Sequence, residues 1–110
     1  MDKKLLKEIN QPHAEICGGL SDPKRIAILY ALAEGPQNVM DLAEMLELPQ
    51  PTVSRHLKIL RERKMANAER RGANIIYTLA DKRITRALDL LRQVLADELN
   101  KRGALADAIV

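Results

Sequence analysis

Several residue types that specialised sites need are scarce in this chain. Cys17 is the single cysteine among 110 residues, which excludes an intramolecular disulfide and a metal site built from several thiolates. Phenylalanine and tryptophan are absent, and the two tyrosines, Tyr30 and Tyr77, offer little aromatic surface on which an unpaired base could stack. For a nucleic-acid partner, these absences favour a duplex over a single strand.

The means for catalysis are equally sparse. The serines Ser21 and Ser54 each have a simpler role as a helix cap or a DNA contact, and there is no glycine-rich phosphate loop. We therefore do not expect an enzyme, and we expect no cofactor.

Long apolar runs are also missing. No stretch reaches the eighteen or so apolar residues of a membrane span, and the start, MDKKLLKEIN, lacks the apolar segment of a signal peptide. With 46% hydrophobic and 30% charged residues, we expect residues 1–110 to form a single globular domain in the cytoplasm.

The charge is unevenly distributed, although the net value is only +3. Residues 34–48 contain acidic but no basic side chains, whereas residues 50–74 contain seven basic and two acidic ones, a local excess of +5. A basic cluster of this kind indicates a polyanionic partner.

The segment 48–64, LPQPTVSRHLKILRERK, predicts a turn followed by an amphipathic helix. Val53, Leu57 and Leu60 form one apolar stripe, Pro51 suits the first helical position, and Gln50 is the expected cap. The polar side is suited to the DNA major groove, where Lys58 and Arg61 should reach phosphates at most. The residues expected to contact bases and phosphates near the helix start are Gln50, Thr52, Ser54, Arg55 and His56. A solvated surface helix is the alternative.

The elements around this helix complete a winged helix-turn-helix pattern. Asn38 is expected to cap a short helix, so that residues 38–64 form the helix-turn-helix and residues 65–79 a β-hairpin wing. Arg70 and Arg71 lie at its tip, where they could reach phosphates or a minor groove. The alternative is a solvated turn that carries two arginines for solubility.

Helices are also predicted at both ends of the chain. Residues 2–10 and 13–20 are helical in pattern, with a break or a restart of the helix at Pro12. Gly18-Gly19 either weakens the second helix or allows a close approach. The last helix begins at Asp81 and has an apolar arc too wide for a small core alone, and residues 103–110 are expected to fray. We therefore expect this helix to pack on a second copy of the chain.

Three segments together resemble the ArsR/SmtB family of winged-helix transcriptional repressors. They are LSDPKRIAILYALAEG at 20–35, DLAEMLELPQPTVSRHLKILRERKM at 41–65 and RRGANIIYTLAD at 70–81. The resemblance implies a homodimer joined by residues 1–20 and 81–103, bound to a palindromic operator and released by an effector or by thiol modification. The expected interface side chains are Leu5, Ile9, Ile16, Leu88, Leu91, Leu95 and Leu99.

The effector sites of that family are not matched here. Residues 38–42 lack the Cys-x-Cys pair that binds soft metals in many members, and Arg83 stands where zinc-binding members have a histidine after Asp81. We therefore expect no metal site, and the effector stays unknown. Cys17 is either a small buried hydrophobe beside Ile16 and Leu20 or a redox thiol, crosslinked to its twin or capped by glutathione.

Taken together, the sequence predicts a mainly α-helical winged helix-turn-helix with a small β-hairpin, dimeric through its first and last helices. The expected function is sequence-specific repression on double-stranded DNA as a homodimer, with a thiol response through Cys17 as one option. A winged-helix protein–protein adaptor and a DNA-binding regulator without an effector are the alternatives. The salt dependence of binding distinguishes a DNA-binding repressor from an adaptor, because phosphate contacts weaken steeply with salt and apolar docking does not.

Overall fold

The computed structural model describes the backbone of residues 1–109 and the side chains of residues 1–103. Within these residues the chain forms α1 (Lys3–Glu8), a π-helical turn (Ile9–His13), α2 (Ala14–Gly19), α3 (Pro23–Glu34), α4 (Val39–Leu46), α5 (Gln50–Glu62), β1 (Ala66–Arg71), β2 (Asn74–Leu79) and α6 (Arg83–Ile109). The predicted fold class, a winged helix-turn-helix with a small hairpin, is confirmed.

The N-terminal segment differs from the prediction at Pro12. The chain stays helical from α1 through α2, and the turn that contains Pro12 widens to a π-helix instead of breaking. A wider turn accommodates the proline ring and the missing N–H without ending the helix. The predicted break at Pro12 is therefore wrong.

The core lies among α3, α4 and α5 and extends to the base of the hairpin. Side-chain caps begin two of these helices: Asp22 accepts from the Lys24 N–H at 2.8 Å, and Asn38 from the Asp41 N–H at 2.8 Å. Periodic apolar residues then meet in one cluster, which consists of Ile28, Leu29, Ala31, Leu32, Leu42, Ala43, Val53, Leu57, Leu60, Met65, Ala66, Tyr77 and Leu88.

The turn into α5 is tight. Glu47 adopts a left-handed conformation (φ 55°), and the Leu48 N–H bonds to the Ala43 carbonyl at 2.9 Å, which closes the end of α4. The cap of α5 is Pro49, without a side-chain hydrogen bond, and Gln50 is already helical. The prediction that Gln50 caps the helix is therefore wrong by one residue.

The wing is an antiparallel pair with Arg71 opposite Asn74, so that Gly72 and Ala73 form the turn. Gly72 takes a positive φ of 62° and Ala73 does not, the pattern of a type II′ turn. Gln37 and Tyr77 exchange two backbone hydrogen bonds, at 3.0 and 2.8 Å. The segment before α4 is thereby joined to the wing.

Helix α6 begins against the core and then leaves it. Leu88 is buried in the cluster, and the Tyr30 hydroxyl donates to the Asp89 carboxylate at 2.6 Å. Further along, the predicted interface residues are open: Leu91 is 61% exposed, Leu95 59% and Leu99 55%. The assignment of Leu88 to the dimer interface is thus corrected, because it fills its own core. The helix continues to Ile109, six residues past Gly103, where fraying was expected to begin.

Candidate nucleic-acid interface

Helix α5 presents a polar face that its own apolar stripe orients outward. Val53, Leu57 and Leu60 are buried, and successive residues are rotated by about 100° around the axis. Ser54, Arg55, Lys58 and Arg61 are therefore turned to solvent, together with Gln50 at the helix start, while Thr52 is half-buried. Most of the predicted contact residues thus lie on one accessible surface.

His56 does not belong to that surface. It is 5% exposed, and its Nδ1 lies 3.3 Å from Nη1 of Arg25 in α3. Burial lowers the pKa of His56, and the positive charges of Arg25, Arg55 and Lys24 act in the same direction against the opposing effect of Asp22. These effects favour the neutral imidazole inside the protein. Because the side chain is buried, the prediction that it contacts DNA is corrected.

The wing extends the cationic surface beyond α5. Arg70 and Arg71 are exposed at the tip of the hairpin, as their place beside Gly72 requires. Arg71 lies 3.4 Å from the Glu69 carboxylate, and both side chains are about two-thirds exposed (65% and 68%). An exposed pair of this kind contributes little to stability.

A polar groove separates α5 from the hairpin and adds a residue that the sequence reasoning missed. The groove encloses about 700 Å³ and is lined by Lys58, Arg61, Glu62, Ala66, Asn67 and Ala68. Asn67 thereby joins two of the predicted phosphate contacts. Strand alternation was the available signal, since Asn67 is exposed between the less accessible Ala66 and Ala68.

A second groove, of about 300 Å³, lies between the start of α4, Ser54 and the wing. Met40 (65% exposed) and Ile75 (45% exposed) give it an apolar lining beside Asn38 and Asn74. Sequence reasoning gave Asn38 only the role of a helix cap and did not predict that Met40 and Ile75 line a groove, because an exposed methionine or isoleucine has the same letter as a buried one.

Cys17 lies on α2 and is exposed. Of the two alternatives for Cys17, a buried hydrophobe is therefore not what the protomer shows. Its neighbours on the same N-terminal segment leave apolar area uncovered as well: Leu5 is 42% exposed, Ile9 43% and Ile16 46%. The terminal segments thus carry the exposed apolar surface that the predicted dimer would cover.

The residues at the start of α6 are not suited to bind a metal ion. Asp81 accepts from the Arg83 guanidinium at 2.7 Å and from the Arg83 backbone N–H at 2.8 Å. These bonds lower the pKa of Asp81 to about 2 and engage its carboxylate with a cation. No group of three histidine, cysteine, aspartate or glutamate side chains that could hold a metal ion occurs in the described part of the chain.

No helix among the described residues has the length and apolar character needed to cross a bilayer.

Known proteins share this architecture and part of this sequence. The family model for the bacterial regulatory proteins of the arsR family matches residues 22–67. The transcriptional repressor SmtB of Mycobacterium tuberculosis is 41% identical over 75 residues, which cover 68% of this chain and 56% of that protein. The CadC homologue of Staphylococcus aureus, a cadmium resistance regulatory protein, is 31% identical, with 79% and 73% covered.

Among solved structures, the chain is similar to a homodimeric winged helix-turn-helix DNA-binding domain from Mycobacterium bovis, described as a possible ArsR-family regulator. The TM-score is 0.74 at 25% identity, and 93% of each chain is covered. This chain thus covers nearly the whole of that domain, but only 56% of the length of the M. tuberculosis repressor SmtB.

Proposed function

Because this chain belongs to the ArsR/SmtB family of bacterial regulatory proteins, we propose that it is a sequence-specific, double-stranded DNA-binding repressor that acts as a homodimer on a palindromic operator. The observation that carries the proposal is the exposed polar and cationic face of α5, with an arginine-tipped wing extending the same surface. Members of this family are regulators, not enzymes.

The chemistry of each side chain indicates which part of the DNA it would contact. Gln50, Ser54 and Arg55 lie exposed on the first two turns of α5, where amide, hydroxyl and guanidinium groups match base edges, and Thr52 flanks them. Lys58 and Arg61, with Asn67 beside them, are assigned to phosphates along the groove. Arg70 and Arg71 are assigned to the adjacent minor groove or its phosphates.

The homodimer supplies the two-fold symmetry that a palindrome requires. The exposed leucines of α6 and the apolar side chains of the N-terminal segment form its proposed interface. In such a dimer the two α5 helices enter successive major grooves, about 34–36 Å apart. The homodimeric state of the M. bovis domain supports this arrangement.

The test is fluorescence anisotropy with a labelled duplex from the region upstream of the chain's own gene, compared with a scrambled duplex at low and high salt. We expect tight, sequence-dependent binding that weakens steeply with salt. Equal weak binding to both duplexes would contradict the proposal, and salt-independent binding to a protein partner would favour the adaptor.

The same titration, repeated after oxidation of the protein, tests the proposed thiol response. Cys17 is the only thiol of the chain, and it is exposed on α2. Loss of binding on oxidation that a Cys17→Ser variant does not show would support the response, and unchanged binding by the oxidised protein would refute it.

A further inference from the structure

One guanidinium group connects the end of α2 with the DNA-facing helix. In α3, Nε of Arg25 donates to the Gly19 carbonyl at 2.9 Å, and Nη2 lies 3.4 Å from the Gly18 carbonyl and 3.3 Å from the Ser21 hydroxyl. Its third nitrogen, Nη1, lies 3.3 Å from Nδ1 of His56 in α5. All three nitrogens of the Arg25 side chain are thus engaged. They connect the end of α2, which belongs to the proposed dimer surface, with α5, which belongs to the proposed DNA-binding surface.

The hydrogen bond to His56 fixes the state of the imidazole. A guanidinium group only donates, so Nδ1 must accept and the neutral ring carries its proton on Nε2. A protonated ring would have N–H groups on both nitrogens and would lose this bond. It would also face the positive charges of Lys24, Arg25 and Arg55, with Asp22 as the acidic neighbour.

A second contact holds α2 against the far end of α5. Nη1 of Arg63, which follows the last residue of α5, donates to the Glu15 carbonyl at 2.6 Å. A Cβ on Gly18 would lie 2.5 Å from Nη1 of Arg63, and one on Gly19 would lie 2.7 Å from the buried Met65 sulfur. The close approach predicted as one option for Gly18-Gly19 is therefore what the structure shows.

We propose that Arg25 and His56 are positioning residues that couple the docking of α2 to the affinity of α5 for DNA. The inference rests on the proposed function, since it takes α5 to be the DNA-binding element and α2 to belong to the dimer segment. Neither side chain needs to touch DNA: Arg25 fixes where α5 sits relative to α2. By reciprocity, DNA bound to α5 then stabilises the docked α2.

The first test replaces the connector and keeps its charge. In Arg25→Lys an ammonium cannot span the α2 carbonyls and His56 at once, and we expect the affinity for an operator duplex, selected with the wild-type protein from a random pool, to fall about fivefold or more at pH 8. Lys24→Arg is the matched control, because Lys24 is exposed on the same turn, and it should bind like the wild type. An Arg25→Lys variant that binds like this control overturns the proposal.

The second test uses pH and does not depend on whether Arg25→Lys folds. Asparagine places an amide oxygen near the position of Nδ1, so His56→Asn should bind like the wild type at pH 8. As the pH falls through the lowered pKa of His56, which lies below the ordinary histidine value of about 6.5, the wild type should lose operator affinity relative to His56→Asn, because only the wild type can be protonated at this position. His13 is present in both proteins and cancels in the comparison. Parallel pH profiles would refute the role of His56.

The third test reads the coupling from the α2 side. Hydrogen exchange of the α2 backbone amides should slow when the operator duplex is added to the wild type, and less so in His56→Leu, which lacks the acceptor. Unchanged exchange in a wild type that does bind the duplex contradicts the coupling alone. A wild type that binds no selected duplex contradicts the proposed function itself.

Discussion

The proposed dimer interface on α6 allows a quantitative prediction. Leu91 is 61% exposed in the protomer, and full burial of a leucine side chain is worth about 1.5–3 kcal/mol, so covering its open part contributes about 1–2 kcal/mol. Each leucine occurs twice in a symmetric dimer, and Leu91→Glu should therefore remove about 2–4 kcal/mol. The dimer dissociation constant should rise roughly 30- to 700-fold, before any cost of burying the new carboxylate is added.

Sedimentation equilibrium over a range of protein concentrations measures this constant, with circular dichroism to show that the variant is folded. Gln93→Glu is the control, because it adds the same carboxylate two positions along, on the opposite side of α6. It should leave the dissociation constant within a few-fold of the wild type. A Leu91→Glu variant as dimeric as this control would show that the leucine stripe does not form the interface.

Three further perturbations follow from the structure. Arg55→Ala should cost about 1–3 kcal/mol of operator affinity if Arg55 reads a guanine, and anisotropy showing equal losses on operator and scrambled DNA would reduce it to a phosphate contact. Gly19→Ala should lower the free energy of unfolding in urea by about 1–3 kcal/mol, because its Cβ meets the buried Met65 sulfur, whereas Gly103→Ala, which has no neighbour within 4 Å among the side chains that the structure describes, should not destabilise the protein. The lowered pKa of His56 means that the unfolded chain binds its proton more readily, so stability should be lost as pH falls below about 6.5; urea midpoints at pH 7.5 and 5.5 that shift equally in His56→Asn would contradict this.

The helix-turn-helix and the wing could be predicted because their signals are local. Asp22 and Asn38 cap helices within two or three residues, and Gly72 makes the turn that its neighbours require. The exposed arginines at the wing tip follow from the same turn. None of these features depends on packing against an element that is distant in the sequence.

The predictions that are wrong concern residues whose burial depends on an element distant in the sequence. His56 lies at the edge of the α5 apolar stripe, and only the packing of α3 with Arg25 makes that edge an interior position. Leu88 and Leu91 belong to one stripe of α6, but the body of the domain ends between them, so one is buried and the other is open. Periodicity identifies a face of a helix, but not how far along its length that face stays covered.

The paired backbone bonds between Gln37 and Tyr77 have a mechanical consequence. They join the residue before the Asn38 cap of α4 to the middle of β2, so the start of the helix-turn-helix and the wing share one hydrogen-bonded frame. The start of the helix-turn-helix and the wing cannot move apart without breaking these two hydrogen bonds. In the proposed dimer, a signal that causes release from the operator would therefore change the distance or angle between the two winged helix-turn-helix units, and with it the spacing of the half-sites that they span.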